Sequence, residues 1–395
     1  MWDTVSLQEV CSIEKEKHAG AELPYVGMED IESGTGRFLG SLEPRKVKSN
    51  TFHFTPNQVL YGRLRPYLNK VLLPEFEGHC STEVFPIQLS KDLNRHFLFY
   101  WFNLDGTISN INDTSTGARM PRANMKEVIN FNIPLPPFEE QKRIVEILDE
   151  AFIGIDQAIA NTEKNLHNAR ELFESLLNAI FTQKGEGWET VTVEDIAQVK
   201  GGKRVPKGYE LQSEPTNHPY IAVADFEDNG TVSTAKLKYI SDEVFEKISR
   251  YTISSNDVYI SIAGTIGKTG IIPDELEGAN LTENACKLVL REGVSKEFVY
   301  FFTKTHSFIE QATRGTRTAA QPKLALTRIK PIKLRLPSLS EQNTVSGLCR
   351  VQSREIDKIV DFYQQKLEDL AELKQSLLQK AFSGELTRDF RGEAA

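Results

Sequence analysis

Two stretches of this chain repeat each other without a gap, and that repeat limits the possible folds more than any other feature. Pro136 to Phe181 reads PPFEEQKRIVEILDEAFIGIDQAIANTEKNLHNARELFESLLNAIF, and Pro337 to Phe382 reads PSLSEQNTVSGLCRVQSREIDKIVDFYQQKLEDLAELKQSLLQKAF. A constant offset of 201 pairs Glu140-Gln141 with Glu341-Gln342, Ile155-Asp156 with Ile356-Asp357, and Ser175-Leu176-Leu177 with Ser376-Leu377-Leu378. The likeness extends outward. Trp2-Asp3-Thr4-Val5 matches Trp188-Glu189-Thr190-Val191 at an offset of 186, Pro24-Tyr25-Val26 matches Pro219-Tyr220-Ile221, and Thr82-Glu83 matches Thr282-Glu283. The offset grows from 186 to 201, so the second globular part is 15 residues longer (201 minus 186). The order is globule, long segment, diverged globule, long segment. Two copies are too few for a solenoid and suit a pseudo-twofold molecule.

The long segments read as helices. Apolar or small residues recur at Ile144, Leu148, Ala151, Ile155, Ile159, Thr162, Leu166, Ala169, Phe173, Leu176 and Ile180, in steps of three and four. That is a coiled-coil seam with one slip. The second copy continues it through Val345, Cys349, Gln352, Ile356, Val360, Tyr363, Leu367, Leu370, Lys374, Leu377 and Ala381. Gln352 and Lys374 interrupt this seam and read as tolerated polar positions sooner than as partner contacts. Pro136-Pro137 and Pro337 stand where a helix begins, and Glu139, Glu140 and Glu341 suit the positive end of its dipole. Gly185 and Gly384 follow the expected ends. Roughly 43 residues at 1.5 Å each give a helix of ~65 Å. A globule covers little of that length, so the two helices are expected to pair antiparallel, with one globule near each end.

At 395 residues the chain is too long for a single core. The repeat divides it into a globule at 1–136, a helix at 137–184, a globule at 185–336, a helix at 337–383 and a tail at 384–395, a candidate for disorder. A 39% hydrophobic content supports packed cores. The start lacks the apolar region of a secretory signal, and no apolar run approaches the ~20 residues that span a bilayer. A cytoplasmic protein is expected. Cys11, Cys80, Cys286 and Cys349 are scattered, which excludes a clustered zinc site, gives no disulfide framework and points to four buried or idle thiols in a reducing cytoplasm. The net charge of −8 argues against nucleic acid until it is resolved by segment. The helices and tail hold 13 basic and 19 acidic residues, net −6, leaving the globules near neutrality at −2.

The globules read as mixed α/β. VLYGRLRPYLNKV from Val59 and VYISIAGTIGKTGII from Val258 are strand–turn–strand patterns. Phe97–Phe102 and Phe298–Phe302 are aromatic-rich, as in a buried helix. Basic, glycine-marked loops follow: STGARMPRANMK (Ser115 to Lys126) and TRGTRTAAQPKLALTR (Thr313 to Arg328). A short strand, Phe131 to Leu135 and Ile332 to Leu336, then leads into each helix. The loops supply Arg119, Arg122 and Lys126 in the first globule, and Arg314, Arg317, Lys323 and Arg328 in the second. Flexible loops with Arg, Lys, Gly and Thr suit phosphate contact and base-edge reading in the major groove. The plainer reading of each is a solvated loop with surplus charge, and the recurrence of the loop in both globules favours DNA. Arg63, Arg65 and Lys70, with Lys203, Arg204 and Lys268, are weaker candidates.

Catalytic look-alikes fail. Gly267-Lys268-Thr269 resembles the end of a phosphate-binding loop, but Ile262 stands where that motif needs its first glycine, so a strand turn is expected. Leu135-Pro136-Pro137-Phe138 resembles an adenine methyltransferase motif whose essential amide or carboxylate is here Leu135. The seven histidines are dispersed. No catalytic, metal or cofactor site is assigned.

Taken in order and in duplicate, LYGRLRPYLNKV, GTIGKTG, the LPP and LPS starts with their Glu-Gln pairs, and the SLLNAIF and SLLQKAF ends resemble the specificity subunit of Type I restriction-modification systems, over essentially the whole length. The resemblance implies two target recognition domains, each reading half of a split double-stranded DNA site, and spacer helices acting as an antiparallel ruler. It implies two adenine methyltransferase subunits docked on the chain, with translocase–nuclease subunits joining for cleavage. S-adenosylmethionine, Mg2+ and ATP would belong to those partners, and this chain would be non-catalytic. The competing classes are a coiled-coil scaffold without a DNA role and a stand-alone DNA-modifying enzyme.

Overall fold

The computed structural model describes residues 2–18, 20, 22–182, 187–314 and 323–388. The chain falls into two units, Met1–Glu163 with Gln365–Ala395, and Lys164–Gln364. Each unit therefore takes one globule and a half of each long helix, whereas the limits read from sequence fall at the helix ends. Both helices have 45 residues, Phe138–Thr182 and Leu339–Ser383.

In the first unit, the opening strand Thr4–Ser6 pairs antiparallel with Asn132–Pro134, the strand that leads into the long helix. A four-stranded antiparallel sheet has the spatial order Cys11–Ile13, Val84–Leu89, Val59–Gly62, Val71–Leu72. A smaller sheet sets Gly78–Ser81 between Tyr25–Val26, parallel to it, and Thr51–Phe54, antiparallel. The aromatic segment forms the helix Arg95–Phe102, which starts where the Asn94 side chain accepts from the backbone N–H groups of His96 and Phe97. Its Phe97 and Phe102 share one core with Tyr61, Phe85 and Ile133, and with Ile144, Leu148, Leu378 and Phe382 from the two long helices. The Phe97 and Phe382 rings lie 4.7 Å apart.

The second unit repeats this plan. Glu189–Thr192 pairs with Lys333–Leu336. The larger sheet runs Ala197–Gly201, Ala285–Leu290, Val258–Ser261, Thr269–Gly270, and the smaller one Lys238–Tyr239, Pro219–Ile221, Asn280–Leu281. Phe298 and Phe302 of the helix Lys296–Thr303 pack on Phe181, with Leu177 and Cys349 in the same core. Helix Asp242–Ile248, capped by Ser241, buries Val244 and Ile248 in a third small core with no counterpart among the described residues of the first unit.

The Glu-Gln pairs prove to be anchors. Gln141 is fully buried; its Oε1 accepts from Asn94 N at 2.8 Å, and its Nε2 donates to Asp92 O at 2.8 Å and Pro136 O at 2.9 Å. Gln342 repeats this with Ser295 N, Gly293 O and Pro337 O. Each ties the start of a long helix to the start of the aromatic helix of its own globule.

Inside each unit the long helices run antiparallel. In the first, Lys374 pairs with Asp156 and lies 5.0 Å over the Phe152 ring. Lys374 is thus a seam residue whose charge reaches out to a partner, not merely a tolerated one. Gln352 is exposed, and half-buried Ser353 faces inward instead, so the seam steps from Cys349 to Ser353 to Ile356. Of the tail expected to be disordered, residues 384–388 are described and differ from that expectation, and 389–395 lie outside the described residues. The chain turns at Gly384 (φ 81°), backbone N–H groups of Glu385 and Leu386 donate to Lys380 O, and Thr387 is buried with its hydroxyl on Glu140. Leu386 packs against the first core. Gly185 and Arg391 lie outside the described residues.

Candidate nucleic-acid interface

In the first globule the hairpin and the basic loop converge on one carboxylate, Glu83. Glu83 sits in the tight connection between Gly78–Ser81 and Val84–Leu89. Its Oε2 accepts from Arg63 Nε and its Oε1 from Arg122 Nε, each at 2.9 Å. The side chains are about a third exposed, 32% for Arg63 and 38% for Arg122. Backbone bonds reinforce the junction: Arg63 N to Glu83 O, Ala123 N to Arg63 O, and Arg65 N to Pro121 O. Arg63 also lies 5.1 Å over the Phe85 ring. Thus the sequence-distant Arg63, Arg65 and Arg122 are brought together. Arg65 is exposed and takes a left-handed backbone (φ 51°), as does buried Asn69 (φ 41°), and Tyr67 between them is 54% exposed.

Arg119 is exposed on the same loop, and Lys126 is exposed in the short helix Met125–Val128 that follows it. Gly117 (φ 96°) makes the bend before Arg119, and the loop closes through reciprocal backbone bonds between Thr116 and Arg122.

In the second unit, Glu283 occupies the position of Glu83. It takes its arginine from elsewhere: Arg204, with a 78% exposed side chain, donates Nε to Oε1. Burial pushes the Glu283 carboxyl up, but hydrogen bonds from Arg204, its own backbone N–H and Thr282 outweigh that and hold it below the ordinary carboxylate range. Lys203 is exposed, with its Nζ 5.8 Å over the Tyr251 ring. Arg314 ends the helix His306–Thr313 and pairs with Glu310 at 3.1 Å, while Arg328 reaches Arg314 O at 3.4 Å. Lys323 is exposed, and Arg317 lies outside the described residues.

Lys70 and Lys268 each bond within their own globule. Lys70 Nζ donates to Met28 O, and Lys268 Nζ to Phe226 O at 3.0 Å, so each ties its hairpin to the small sheet's following turn. Lys268 also pairs with Asp228 at 2.8 Å; its hydrogen bond is the main reason the Asp228 carboxyl is held low. The Gly267-Lys268-Thr269 segment is a hairpin turn, with Gly264 and Gly267 at positive φ and Thr269 buried against the Thr303 hydroxyl.

Sequence reasoning missed Glu83 and Glu283 as parts of the site. The signal was present, because Thr-Glu recurs at matching places, yet nothing in one dimension shows which cations reach it. All four cysteines are buried, which pushes Cys11 and Cys286 up to about 12 and Cys349 to about 11. Among the described residues, no group of three His, Cys, Asp or Glu is placed to hold a metal ion, and no helix is long and apolar enough to cross a membrane.

A family model described as the Type I restriction modification DNA specificity domain matches residues 1–166 and 185–377. The EcoDI specificity subunit of Escherichia coli is 28% identical over 191 residues, covering 47% of this chain and 42% of that protein. The MjaVIII specificity subunit of Methanocaldococcus jannaschii is 22% identical over 386 residues, covering 92% and 86%. Among solved structures, one from a study of complex assembly and conformational transition in the type I R-M system matches with a TM-score of 0.82 at 20% identity over 98% of both chains. The HsdS subunit from Thermoanaerobacter tengcongensis matches with a TM-score of 0.55 at 20% identity over 98% and 97%. At such identities the structural likeness is one of fold.

Proposed function

Because the chain belongs to the family of Type I restriction modification DNA specificity domains, whose members recognise DNA sequence within a type I complex, we propose that its globules, 1–136 and 185–336, are target recognition domains. Each reads one half of a split, asymmetric site in double-stranded DNA. The observation that carries this reading is the duplication itself. One plan occurs twice, each time with a Gln anchor to a long helix and with a basic segment between the aromatic helix and the long helix in sequence. The loop sequences differ, so the half-sites differ. Arg63, Arg65, Arg119, Arg122 and Lys126 serve the first half-site; Lys203, Arg204, Arg314, Arg317, Lys323 and Arg328 serve the second.

The helices, 137–184 and 337–383, act as the spacer, and a stiff spacer fixes separation and phase as dimer geometry does for paired half-sites. Their outward faces carry large apolar side chains: Ile153 (73% exposed) in the first unit, and Leu348, Val351, Ile359 and Phe362 along one helix in the second. Exposed apolar side chains in such a row mark a protein contact. Two adenine methyltransferase subunits dock there, and translocase–nuclease subunits join them. The methyl donor, Mg2+ and ATP are used by those partners, so this chain performs no chemistry of its own and works in the cytoplasm beside the genome.

The test is methyl transfer by purified components. The chain alone should transfer no methyl group to DNA; with its methyltransferase subunit it should methylate adenine in one split sequence. Methylation by the chain alone, or no dependence on the chain, contradicts the proposal.

A further inference from the structure

We propose that Glu83 and Glu283 are positioning residues that hold Arg63 and Arg122, and Arg204, as readers of guanine, one set in each half-site; this rests on the DNA-reading function above. An arginine guanidinium is a planar fork with two usable edges. Binding the Nε edge to a carboxylate leaves the paired Nη groups as the free edge. That edge matches guanine O6 and N7, the commonest specific contact in the major groove. Glu83 holds two arginines in this way at once, through separate oxygens at 2.9 Å each. Arg122 spends only a long 3.3 Å contact from its Nη1 on Met120 O. Phe85 beneath Arg63 removes further freedom. A side chain already held in its bound pose loses less entropy on binding.

The second unit separates holder from reader. Glu283 stands at the same place in the fold, between Asn280–Leu281 and Ala285–Leu290, but the Arg63 position is filled by buried Ile262 and the Arg122 position by Lys323. Arg204, from the other side of the sheet, takes the carboxylate instead. A fixed carboxylate with readers drawn from different segments is a device by which one fold reads two different half-sites.

The experiment expresses the chain with its own methyltransferase subunit in a host lacking adenine methylation, and reads the methylated motif by modified-base sequencing. R63A, R122A and R204A should each lose discrimination at one G·C position by about 10- to 100-fold. The positions for the first two should lie in one half-site and that for R204A in the other. R122K, which keeps charge but not the fork, should relax the same position as R122A. E83Q should relax the R63A and R122A positions together, and E283Q the R204A position, with thermal midpoints within a few degrees of the parent. The proposal is overturned if R122K preserves the motif, which makes Arg122 a phosphate contact. It is also overturned if the variants lower methylation evenly at all positions, which makes the ion pairs structural ties. If the parent chain itself yields no two-part motif, the proposed function has failed and this assignment falls with it.

Discussion

Replacing Gln141 by Ala tests whether the Glu-Gln signature is an anchor of the globule on its helix. The fully buried side chain makes three hydrogen bonds, to Asn94 N, Asp92 O and Pro136 O. At ~1 kcal/mol net per bond, removal costs about 3 kcal/mol, and backbone groups left unpaired in a buried place raise this toward about 5. The first unit spans 194 residues (163 plus 31). A unit of that size loses about 2–4 °C per kcal/mol, so its thermal midpoint should fall by ~6–12 °C or more. Hydrogen exchange, read by peptide, should accelerate in Arg95–Phe102 and the start of Phe138–Thr182. The second unit's midpoint and exchange should stay unchanged. Gln342→Ala should reverse the pattern, weakening Lys296–Thr303 instead. A loss below about 1 kcal/mol, or an equal loss in both units, refutes the anchor and leaves the repeated pair without a local structural role.

Other expectations follow from single features. Lys287 and Asp257 form a largely buried ion pair at 2.7 Å, with side chains 14% and 4% exposed, so Lys287→Met alone should cost about 3–5 kcal/mol and adding Asp257→Asn should recover part of it in urea titrations. Burial holds the His79 imidazole below its ordinary range, with neighbouring His18 acting in the same direction, and burial followed by Arg95 does the same at His96. The unfolded chain then binds more protons, so stability is full above about pH 6.5 and is lost as pH falls below it; His79→Gln should flatten that dependence in denaturation curves at pH 5.5 and 7.5. Thiols raised to about 11–12 are almost wholly protonated at pH 8, so native protein should resist a thiol reagent that labels all four cysteines once it is unfolded. Replacing Arg119, Arg314 and Arg317 by Ala should weaken DNA binding by the assembled complex and lower its salt slope by ~0.9 for each phosphate no longer neutralised; an unchanged slope sinks the loop assignment.

The sequence makes most of the fold legible because the repeat acts as its own alignment. The seam residues Ile144, Leu148 and Ile155 are buried as their spacing requires, and both aromatic segments form buried helices. A heptad count misplaces Gln352 because it cannot see that Ser353 faces inward once Cys349 is drawn into the globule's core. Charge and small residues make the tail look disordered, and they hide two details: the left-handed turn at Gly384 and the contact of Leu386 with a distant core. The candidate site is only half legible. Composition marks Arg122 and Arg204 as cations, but their meeting with Glu83 and Glu283 is set by strand pairing across tens of residues. Nor does one dimension show that Lys70 and Lys268 are each held by a backbone carbonyl of their own globule.

The most direct test of the central claim is modified-base sequencing of the host genome with and without this chain. Loss of N6-methyladenine from one split, asymmetric motif when the chain is deleted is the predicted result, and restoring the chain should restore that motif alone. Persistence of every methylated motif after deletion, in cells whose methyltransferase subunit is made and co-purifies with the chain, contradicts it.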